Sequence, residues 1–323
     1  MRICQLIASY EGSTCGFQDI DPYPDASVWL PAHSFTTCLL KKSEVTARIA
    51  ELATQNFDVF VNLCDGEADE DIAGIEVVEQ LERLRVPFTG ADSRCYRLSN
   101  IRRMLKDACQ VAGIETPAHV FLSADDDCVE QLAAKLRLPI LVKPPSGYAS
   151  KGIEPTSRAD SYAALRAACE RTRARFGGAL LEEFIEGREF TVLGAEPPPG
   201  DTQPLVYTPF EVLFPPGETF KHFELKWLAY EQLGMRPVDD PVLDERLRSM
   251  VARYLSAIRI VGYARCDVRM DSTGRLFLLD ANVMPGTFYP RHSFGCADLI
   301  LAHHPDGHRR FLEHLIACAQ HRP

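Results

Sequence analysis

A chain of 323 residues with 46% hydrophobic and 25% charged content is long enough for two or three packed subdomains. Its formal net charge of −10 disfavours nucleic acid as a partner, because nucleic-acid binding is typical of domains with clustered lysine and arginine. The sequence shows neither a signal-peptide core nor a run approaching the ~20 apolar residues of a membrane helix. We therefore expect a cytoplasmic protein with no membrane partner.

Eleven cysteines are scattered singly along the chain, with no C-x-x-C pair. An odd number of cysteines, without the spacing of metal ligands and in a chain expected in the cytoplasm, indicates reduced thiols packed in cores. We therefore expect neither zinc sites nor disulfides from them.

Strands and helices alternate over the first part of the chain. The expected elements are a strand at 2–9, a helix at 43–55, a strand at 58–63, a helix at 72–84 and an extended segment at 86–90. This alternation predicts a parallel sheet covered on both faces, which we assign to a Rossmann-like N-terminal subdomain over residues 1–97.

The remaining sequence predicts two further lobes, one over residues 98–181 and one over residues 182–323. The expected elements that follow the first subdomain are a helix at 99–111, a strand at 118–122, a helix at 127–136, a strand at 138–144 and a Gly- and Ser-containing loop at 145–152. After them come the strands GALLEEF and REFTVLGA, a helix at 240–258 and a hairpin at 262–281. The predicted fold class is therefore α/β with α+β lobes.

The segment GYARCDVRMDSTGRLFLLDANVMPG carries the clearest chemical signal, as two alternating strands joined by a turn at 271–274. Strand alternation and closure of this turn place six side chains on one face: Arg265, Asp267, Arg269, Leu278, Asp280 and Asn282. The oxygen atoms of Asp267, Asp280 and Asn282 suit Mg²⁺, with Mn²⁺ as an alternative, completed by water and the phosphates of a nucleotide. The alternative is a ladder of cross-strand salt bridges on a solvated face.

Two further segments suit a nucleotide. Lys143 ends an apolar run and precedes a loop that holds Ser150 and two glycines, so an ammonium and backbone N–H groups can face phosphates. An ordinary exit from strand to turn is the alternative. In LLEEFIEGREFTV, Glu182, Glu183 and Glu189 could accept hydrogen bonds from an exocyclic amine and ribose hydroxyls, or could be surface carboxylates.

Taken in this order and spacing, the segments resemble ATP-grasp ligases, specifically the D-alanine–D-alanine ligase branch. The resemblance runs from NLCDGEADEDIAGIEVVEQLERLRVPFTG through LPILVKP and LLEEFIEGREFTV to YARCDVRMDSTGRLFLLDANVMPG. It implies an ATP-grasp fold, and an ATP-dependent reaction that joins a carboxylate to an amine through an acyl phosphate. ATP and Mg²⁺ would be required, small-molecule carboxylates and amines would be the substrates, and a homodimer is the family's habit.

The resemblance also implies roles for single residues. Lys143 and Lys226 would contact the phosphates, and Arg102 stands where the family has a nucleotide-binding lysine. The residues implied around the base and ribose are Glu182, Glu183, Ile185, Leu278 and Glu189. Arg265 and the backbone N–H of Gly286 would stabilise the oxyanion of the tetrahedral intermediate. The alternatives are an ordinary surface lysine at Lys226 and, for Arg265, a partner that only neutralises neighbouring carboxylates.

The substrate-binding segments depart from the family's pattern. The turn whose glutamate usually binds the amino group of the first substrate is absent, which leaves Glu11 and Ser13 as candidates. The usual HG turn is replaced by Cys-Asp-Gly at 64–66. After NVMPG, a small hydroxyl-bearing stretch becomes TFYPRHSFG, in which Arg291 and His292 could hold a carboxylate or belong to a solvated loop.

We therefore predict a ligase that forms an amide or peptide bond between small amino acids or related metabolites. Three alternatives remain: a strict D-alanine–D-alanine ligase of cell-wall synthesis, an ATP-grasp protein that binds nucleotide without catalysis, and an ATP-grasp enzyme of the purine-biosynthesis or carboxylase type. The altered pocket segments argue against the first, the metal set with Arg265 against the second, and the N-terminal motif NLCDG against the third.

Overall fold

The computed structural model describes residues 1–14, 20–66, 70–124, 129–147 and 149–322. Within these ranges the strands are β1 (Arg2–Ala8), β2 (Ser34–Leu40), β3 (Val59–Asn62), β4 (His119–Ser123), β5 (Ile140–Lys143), β6 (Arg158–Ala159), β7 (Gly178–Glu183), β8 (Arg188–Ala195), β9 (Leu205–Val206), β10 (Phe210–Leu213), β11 (Gly234–Pro237), β12 (Tyr263–Met270) and β13 (Leu276–Asn282). The helices are α1 (Val45–Ala53), α2 (Ile75–Leu84), α3 (Ser93–Asn100), α4 (Arg102–Val111), α5 (Val129–Ala133), α6 (Tyr162–Phe176), α7 (Phe223–Trp227), α8 (Pro241–Ala257), α9 (Cys296–Ala302) and α10 (Gly307–His321).

The first sheet is parallel, with strand order β2-β1-β3. Its central strand is apolar on both faces, because helices pack on both: Leu6 shares a core cluster with Ile49 of α1, and Ile3 shares another with Phe311 of α10. The prediction of a covered parallel sheet is therefore confirmed. The extended segment expected at 86–90 forms only an isolated bridge to β3. The edge strand β2 is not among the elements expected from the sequence.

The second sheet is antiparallel, with strand order β4-β7-β5-β6, and α6 packs against it. The helix expected at 99–111 is observed as α4, which begins three residues later, whereas α3 is absent from the sequence-based expectations. A break at Ile101 separates the two helices. Ile101 has extended backbone angles and forms a bridge with Ser146, and the N–H of Arg102 donates to Pro145. The loop after β5 therefore interrupts the helix and fixes the start of α4.

The third sheet is antiparallel, with β8 and β12 at its centre and β13 beside β12. The predicted hairpin is confirmed, since the N–H of Asp271 donates to the carbonyl of Arg275 across the turn. A β-bulge shifts the register, so that Asp267 lies opposite Asp280 while Val268 lies opposite Leu278. The expected position of Leu278 beside the two carboxylates is therefore wrong: Leu278 is fully buried in the core.

Three expectations concern the chain as a whole. None of the helices in the described part of the chain combines the length and the apolar composition that a membrane span needs. The nine described cysteines are free, and all but Cys296 are buried, while residues 15 and 128 lie outside the described ranges. The subdomain boundaries after residues 97 and 181 stay a prediction.

Candidate active site

A cavity lies between the second and third sheets, and we call it the inter-sheet cavity. Eight residues proposed from the sequence line it: Lys143, Ser150, Glu182, Glu183, Ile185, Glu189, Asp267 and Asp280. Lys221, Arg269 and Leu279 line it too. Leu279 takes the place expected for Leu278, because the bulge in the hairpin turns the neighbouring residue towards the cavity.

A second cavity, with a volume of about 550 Å³, contains the remaining expected residues of the chemical step, and we call it the large cavity. Lys226, Arg265, Asn282 and Gly286 all line it. A smaller space joins the two cavities and is lined from both sides, by Lys221, Asp267 and Asp280 and by Lys226, Arg265 and Asn282. The polar end of the hairpin therefore lies at the junction of the two cavities.

The hairpin brings the expected metal ligands together. Asp267 lies opposite Asp280 and Arg265 lies opposite Asn282, so four polar side chains occupy adjacent cross-strand positions. Burial opposes ionisation of Asp267, but Arg265 at 3.2 Å and Lys221 hold the pKa of its carboxyl well below the ordinary value. Asp267 is therefore a carboxylate at neutral pH.

Lys221 extends this cluster along the sheet. Its ammonium lies 3.0 Å from Asp267 and 2.9 Å from Glu189, and the other oxygen of Glu189 accepts from Arg269 at 3.0 Å. Glu189, expected as the ribose ligand, therefore already binds two cations in the free protein. One signal could have identified Lys221: it is a second lysine, five residues before Lys226 in the same short segment.

Glu182 is also paired with two cations. Lys143 lies 2.5 Å from its carboxylate, and Lys106 of α4 forms a second ion pair with it. Burial alone would raise the pKa of Glu182, but the two lysines lower it to about 2. Lys106 is itself buried, on the same face of α4 as Arg102. Charged residues on the core-facing side of a predicted helix are the sequence signal that could have identified Lys106.

Glu183 and Arg102 each have protein partners in the structure. The carboxylate of Glu183 is held by the exposed guanidinium of Arg137 at 2.9 Å. Arg102 donates to the carbonyl of Pro144 at 3.1 Å and lies 3.9 Å from Asp280. Arg102 therefore fixes the chain immediately after Lys143, and it lies behind the inter-sheet cavity.

Lys226 is half-buried beside other cations. Burial, together with nearby Arg265 and Lys221, lowers its pKa to about 8, and no described carboxylate forms an ion pair with it. The adjacent Trp227 donates its indole N–H to the carbonyl of Ala149 at 2.9 Å, which ties this segment to the loop after β5. A cation that lacks a carboxylate partner and lines both the large cavity and the space that joins the two cavities suits an anionic ligand.

One wall of the large cavity is acidic. Asp21 accepts hydrogen bonds from the hydroxyls of Tyr10 at 2.5 Å and Tyr289 at 2.7 Å. Asp65 lies near it, and burial, with Asp21 and Glu70 close by, raises the pKa of Asp65 to about 8. The large cavity is therefore lined by the carboxyl groups of Asp21, Asp65 and Glu231, together with the cations Lys226, Arg265 and Arg291.

The candidates Glu11 and Ser13 lie away from this wall. Glu11 is 77% exposed and pairs with Lys41 at 3.0 Å, and the hydroxyl of Ser13 donates to Asp71. Neither residue lines the large cavity, whereas Asp21 and Asp65 of the Cys-Asp-Gly turn do. Arg291 and His292 line the large cavity. This position agrees with the interpretation that they hold a carboxylate.

Comparison with known protein families agrees with this arrangement. The family model described as D-ala D-ala ligase C-terminus matches residues 109–293, more than half of the chain. The chain belongs to the D-alanine–D-alanine ligase family. The predictions of an ATP-grasp ligase fold and of an ADP-forming ligase of this branch are thereby confirmed.

Individual relatives give the same result. The D-alanine–D-alanine ligase of Pseudomonas entomophila is 30% identical over 241 residues, which cover 74% of this chain and 70% of that protein. D-alanine–D-alanine ligase B of Pseudomonas syringae is 30% identical over 211 residues, or 64% of this chain but only 61% of that protein's length. The structure of the Bacillus anthracis enzyme complexed with ATP shares the fold, with a TM-score of 0.71 over 99% of this chain and 97% of that one at 17% identity.

The D-alanine–D-alanine ligase family implies a divalent metal, and the donor set fits one. Asp267, Asp280 and Asn282 offer hard oxygen atoms side by side, and the Asp280 side chain is 37% exposed. The described residues contain no group of three or more His, Cys, Asp or Glu side chains able to hold a metal alone. The set therefore suits Mg²⁺ that keeps water and phosphate oxygens as its other ligands.

Proposed function

We propose that the protein is an ATP-dependent ligase that joins the carboxylate of one small amino acid or related metabolite to the amine of another. ATP would lie in the inter-sheet cavity and the reacting groups in the large cavity. The observation that carries this proposal is the position of Arg265, Asp267, Asp280 and Asn282 at the junction of the two cavities. A γ-phosphate at this junction would lie within reach of a carboxylate in the large cavity.

The residues around the junction suit phosphoryl transfer. A carboxylate is a poor electrophile, so it must first accept the γ-phosphate, and Lys143 and Lys226 would hold the phosphates during that step. Mg²⁺ bound by Asp267, Asp280 and Asn282 would neutralise charge on the transferring group. Glu183, Ile185 and Leu279 would surround the base, and Glu189 would remain the ribose contact.

Arg265 and Gly286 suit the second step, in which the amine attacks the acyl phosphate. The Nε of Arg265 is buried and has no hydrogen-bond acceptor among the described residues, although its other nitrogen binds Asp267. Such a donor can bind the oxyanion that forms at the carbonyl carbon. The backbone N–H of Gly286 would be the second donor, beside the ring of Tyr289.

The acidic wall indicates where a substrate ammonium binds. Among the described residues no cation forms an ion pair with Asp65, and a carboxyl group whose pKa is raised by burial and like charges is stabilised as an anion when an ammonium binds. Arg291 and His292, which also line the large cavity, suit a carboxylate. We infer that the substrates are amino acids or similar zwitterions.

Replacing Asp65 by asparagine is expected to raise the KM of the amino-acid substrate about tenfold or more, because a charge-assisted contact is lost.

The Asp65→Asn change should also stabilise the protein. Since the pKa of Asp65 rises to about 8 on folding, the folded state holds one more proton than the unfolded state between the two pKa values, and stability falls as pH increases over that window. Asparagine removes this penalty, by roughly 1–2 kcal/mol at neutral pH. Kinetics and calorimetry test both effects, and a less stable variant with normal KM would contradict them.

ATP affinity is expected to fall as pH rises above about 8, because the free protein then loses the proton of Lys226. Titration calorimetry of ATP binding against pH, without amino acids, measures this. In Lys226→Arg the decline should move to higher pH, since a guanidinium stays protonated. An unchanged pH profile in that variant would show that another group titrates.

The experiment that tests the proposal is incubation with ATP, Mg²⁺ and separate pools of D-amino acids, L-amino acids and small carboxylates. Phosphate release and product mass are followed together. Release of phosphate coupled to a new amide mass supports the ligase, and its mass names the substrates. ATP binding without substrate-stimulated release in any pool would instead support a nucleotide-binding protein without catalysis.

A strict D-alanine–D-alanine ligase is the second candidate, favoured by the names of the relatives. Turnover with D-alanine as the sole amino acid would establish it. The departures of the substrate-binding segments from the family's pattern favour a different substrate. A homodimer, the family's habit, is a separate proposal that sedimentation would test.

A further inference from the structure

Lys221 occupies a position that neither the family pattern nor the proposed roles of Lys143 and Lys226 assign. Its side chain is only 12% exposed, and its ammonium lies between Glu189 at 2.9 Å and Asp267 at 3.0 Å. It lines the inter-sheet cavity and the space that joins it to the large cavity. The ammonium is therefore held where ATP phosphates would lie on the proposed function.

The groups around Lys221 form a row of alternating charge. Arg269, Glu189, Lys221, Asp267 and Arg265 follow one another, each within ion-pair distance of the next. Three cations and two carboxylates leave the row with a net positive charge. Each of these two carboxylates binds two cations of the row and so holds the ammonium and guanidinium groups in position. An anion that enters the cavity would therefore contact cations that are already oriented.

The backbone of Lys221 is fixed as well. Its carbonyl accepts from the hydroxyl of Ser150 at 2.9 Å, and the N–H of Phe223 donates to Ile153 at 2.9 Å. The loop after β5, expected to cover the phosphates, is thus attached to the residue whose ammonium reaches Asp267. The side chain itself is a flexible four-carbon stem, so the ammonium can change partners while its backbone stays in place.

We propose that Lys221 is a further ATP-binding residue, which pairs with Asp267 in the ligand-free protein and contacts the nucleotide phosphates when ATP binds, with or without a metal on Asp267. This inference rests on the proposed ATP site. Arg265 stays beside Asp267 in both states, so the buried carboxylate is not left unpaired when Lys221 moves to the phosphates. It also predicts that the protein binds ATP measurably without a divalent metal, and that Lys221 competes with the metal for Asp267.

The test uses Lys221→Met with two readouts that do not depend on turnover. Calorimetry in EDTA should show ATP affinity lowered about tenfold or more, because a charge-assisted phosphate contact is lost. Mn²⁺ binding without nucleotide, followed by electron paramagnetic resonance, should be several-fold tighter than in the wild type. Lys221→Arg should retain ATP binding in EDTA, and Lys135→Met, on an exposed helix turn, should change neither value.

Unchanged ATP affinity of folded Lys221→Met in EDTA would overturn the inference and leave Lys221 as a packing partner of two carboxylates. If this variant does not fold, Lys221→Gln, which keeps a polar side chain without the charge, is measured in the same way. Wild-type protein that binds no ATP even with Mg²⁺ would instead overturn the proposed function itself. The two failures are therefore distinguishable.

Discussion

Arg265→Ala is expected to lower kcat by about 10²–10³-fold, the usual effect of removing one donor from an oxyanion site. The ATP dissociation constant should change little, because the proposed contact forms mainly in the transition state of amine attack. The unpartnered Nε at the junction of the two cavities is the structural basis for this expectation. Steady-state kinetics with the identified substrates, combined with ATP titration, measure both quantities.

The control for this variant is Arg253→Ala, which removes an exposed arginine from α8, away from both cavities. Since Arg265 also pairs with Asp267, the melting temperature of Arg265→Ala must be measured beside its kinetics. Arg265→Lys keeps a charge near Asp267 but loses the planar donor geometry, so it should remain strongly impaired. A near-normal kcat in Arg265→Ala would contradict the proposed role of Arg265 in stabilising the oxyanion.

Asp280→Asn is expected to lower kcat/KM for ATP by about a hundredfold or more, because the metal would lose a charged ligand next to the transferring phosphate. Of the two carboxylates, Asp280 can be substituted with less effect on neighbouring ion pairs. It is 37% exposed and lies 3.9 Å from Arg102, whereas Asp267 is buried between Lys221 and Arg265. Stability should therefore be retained.

The measurement for Asp280→Asn is kcat/KM over a range of Mg²⁺ concentrations, with Mn²⁺ binding in the presence of ATP as a second readout. The apparent metal affinity should fall together with the rate. Asp239→Asn, at an exposed position before α8, is the matched control. Wild-type metal affinity in Asp280→Asn would mean that the hairpin carboxylates form only a salt-bridge ladder.

The hairpin shows which part of the site the sequence could predict. Strand alternation and a turn that begins with Asp271 are local signals, and they suffice to bring Asp267, Asp280 and Asn282 together. The bulge between them is not local, because it depends on how β12 pairs with β8 and β13 at the same time. It reverses the expected side of Leu278 and turns Leu279 to the cavity.

The site residues that the sequence did not predict acquire their positions through tertiary contacts. Lys106 and Lys221 gain their roles only when α4 and the segment before α7 meet carboxylates from other strands. The expected helix begins at residue 99, but pairing of Ile101 with Ser146 delays the start of α4 to Arg102. Asp21 and Asp65 are far apart in the sequence, so no spacing rule joins them into one acidic wall.

The most direct test of the central claim follows oxygen from a substrate carboxylate labelled with ¹⁸O. An acyl-phosphate route predicts that each amide formed is accompanied by ADP and by one inorganic phosphate that carries a single ¹⁸O from that carboxylate. Release of AMP and pyrophosphate, or amide formation with unlabelled phosphate, would contradict the account.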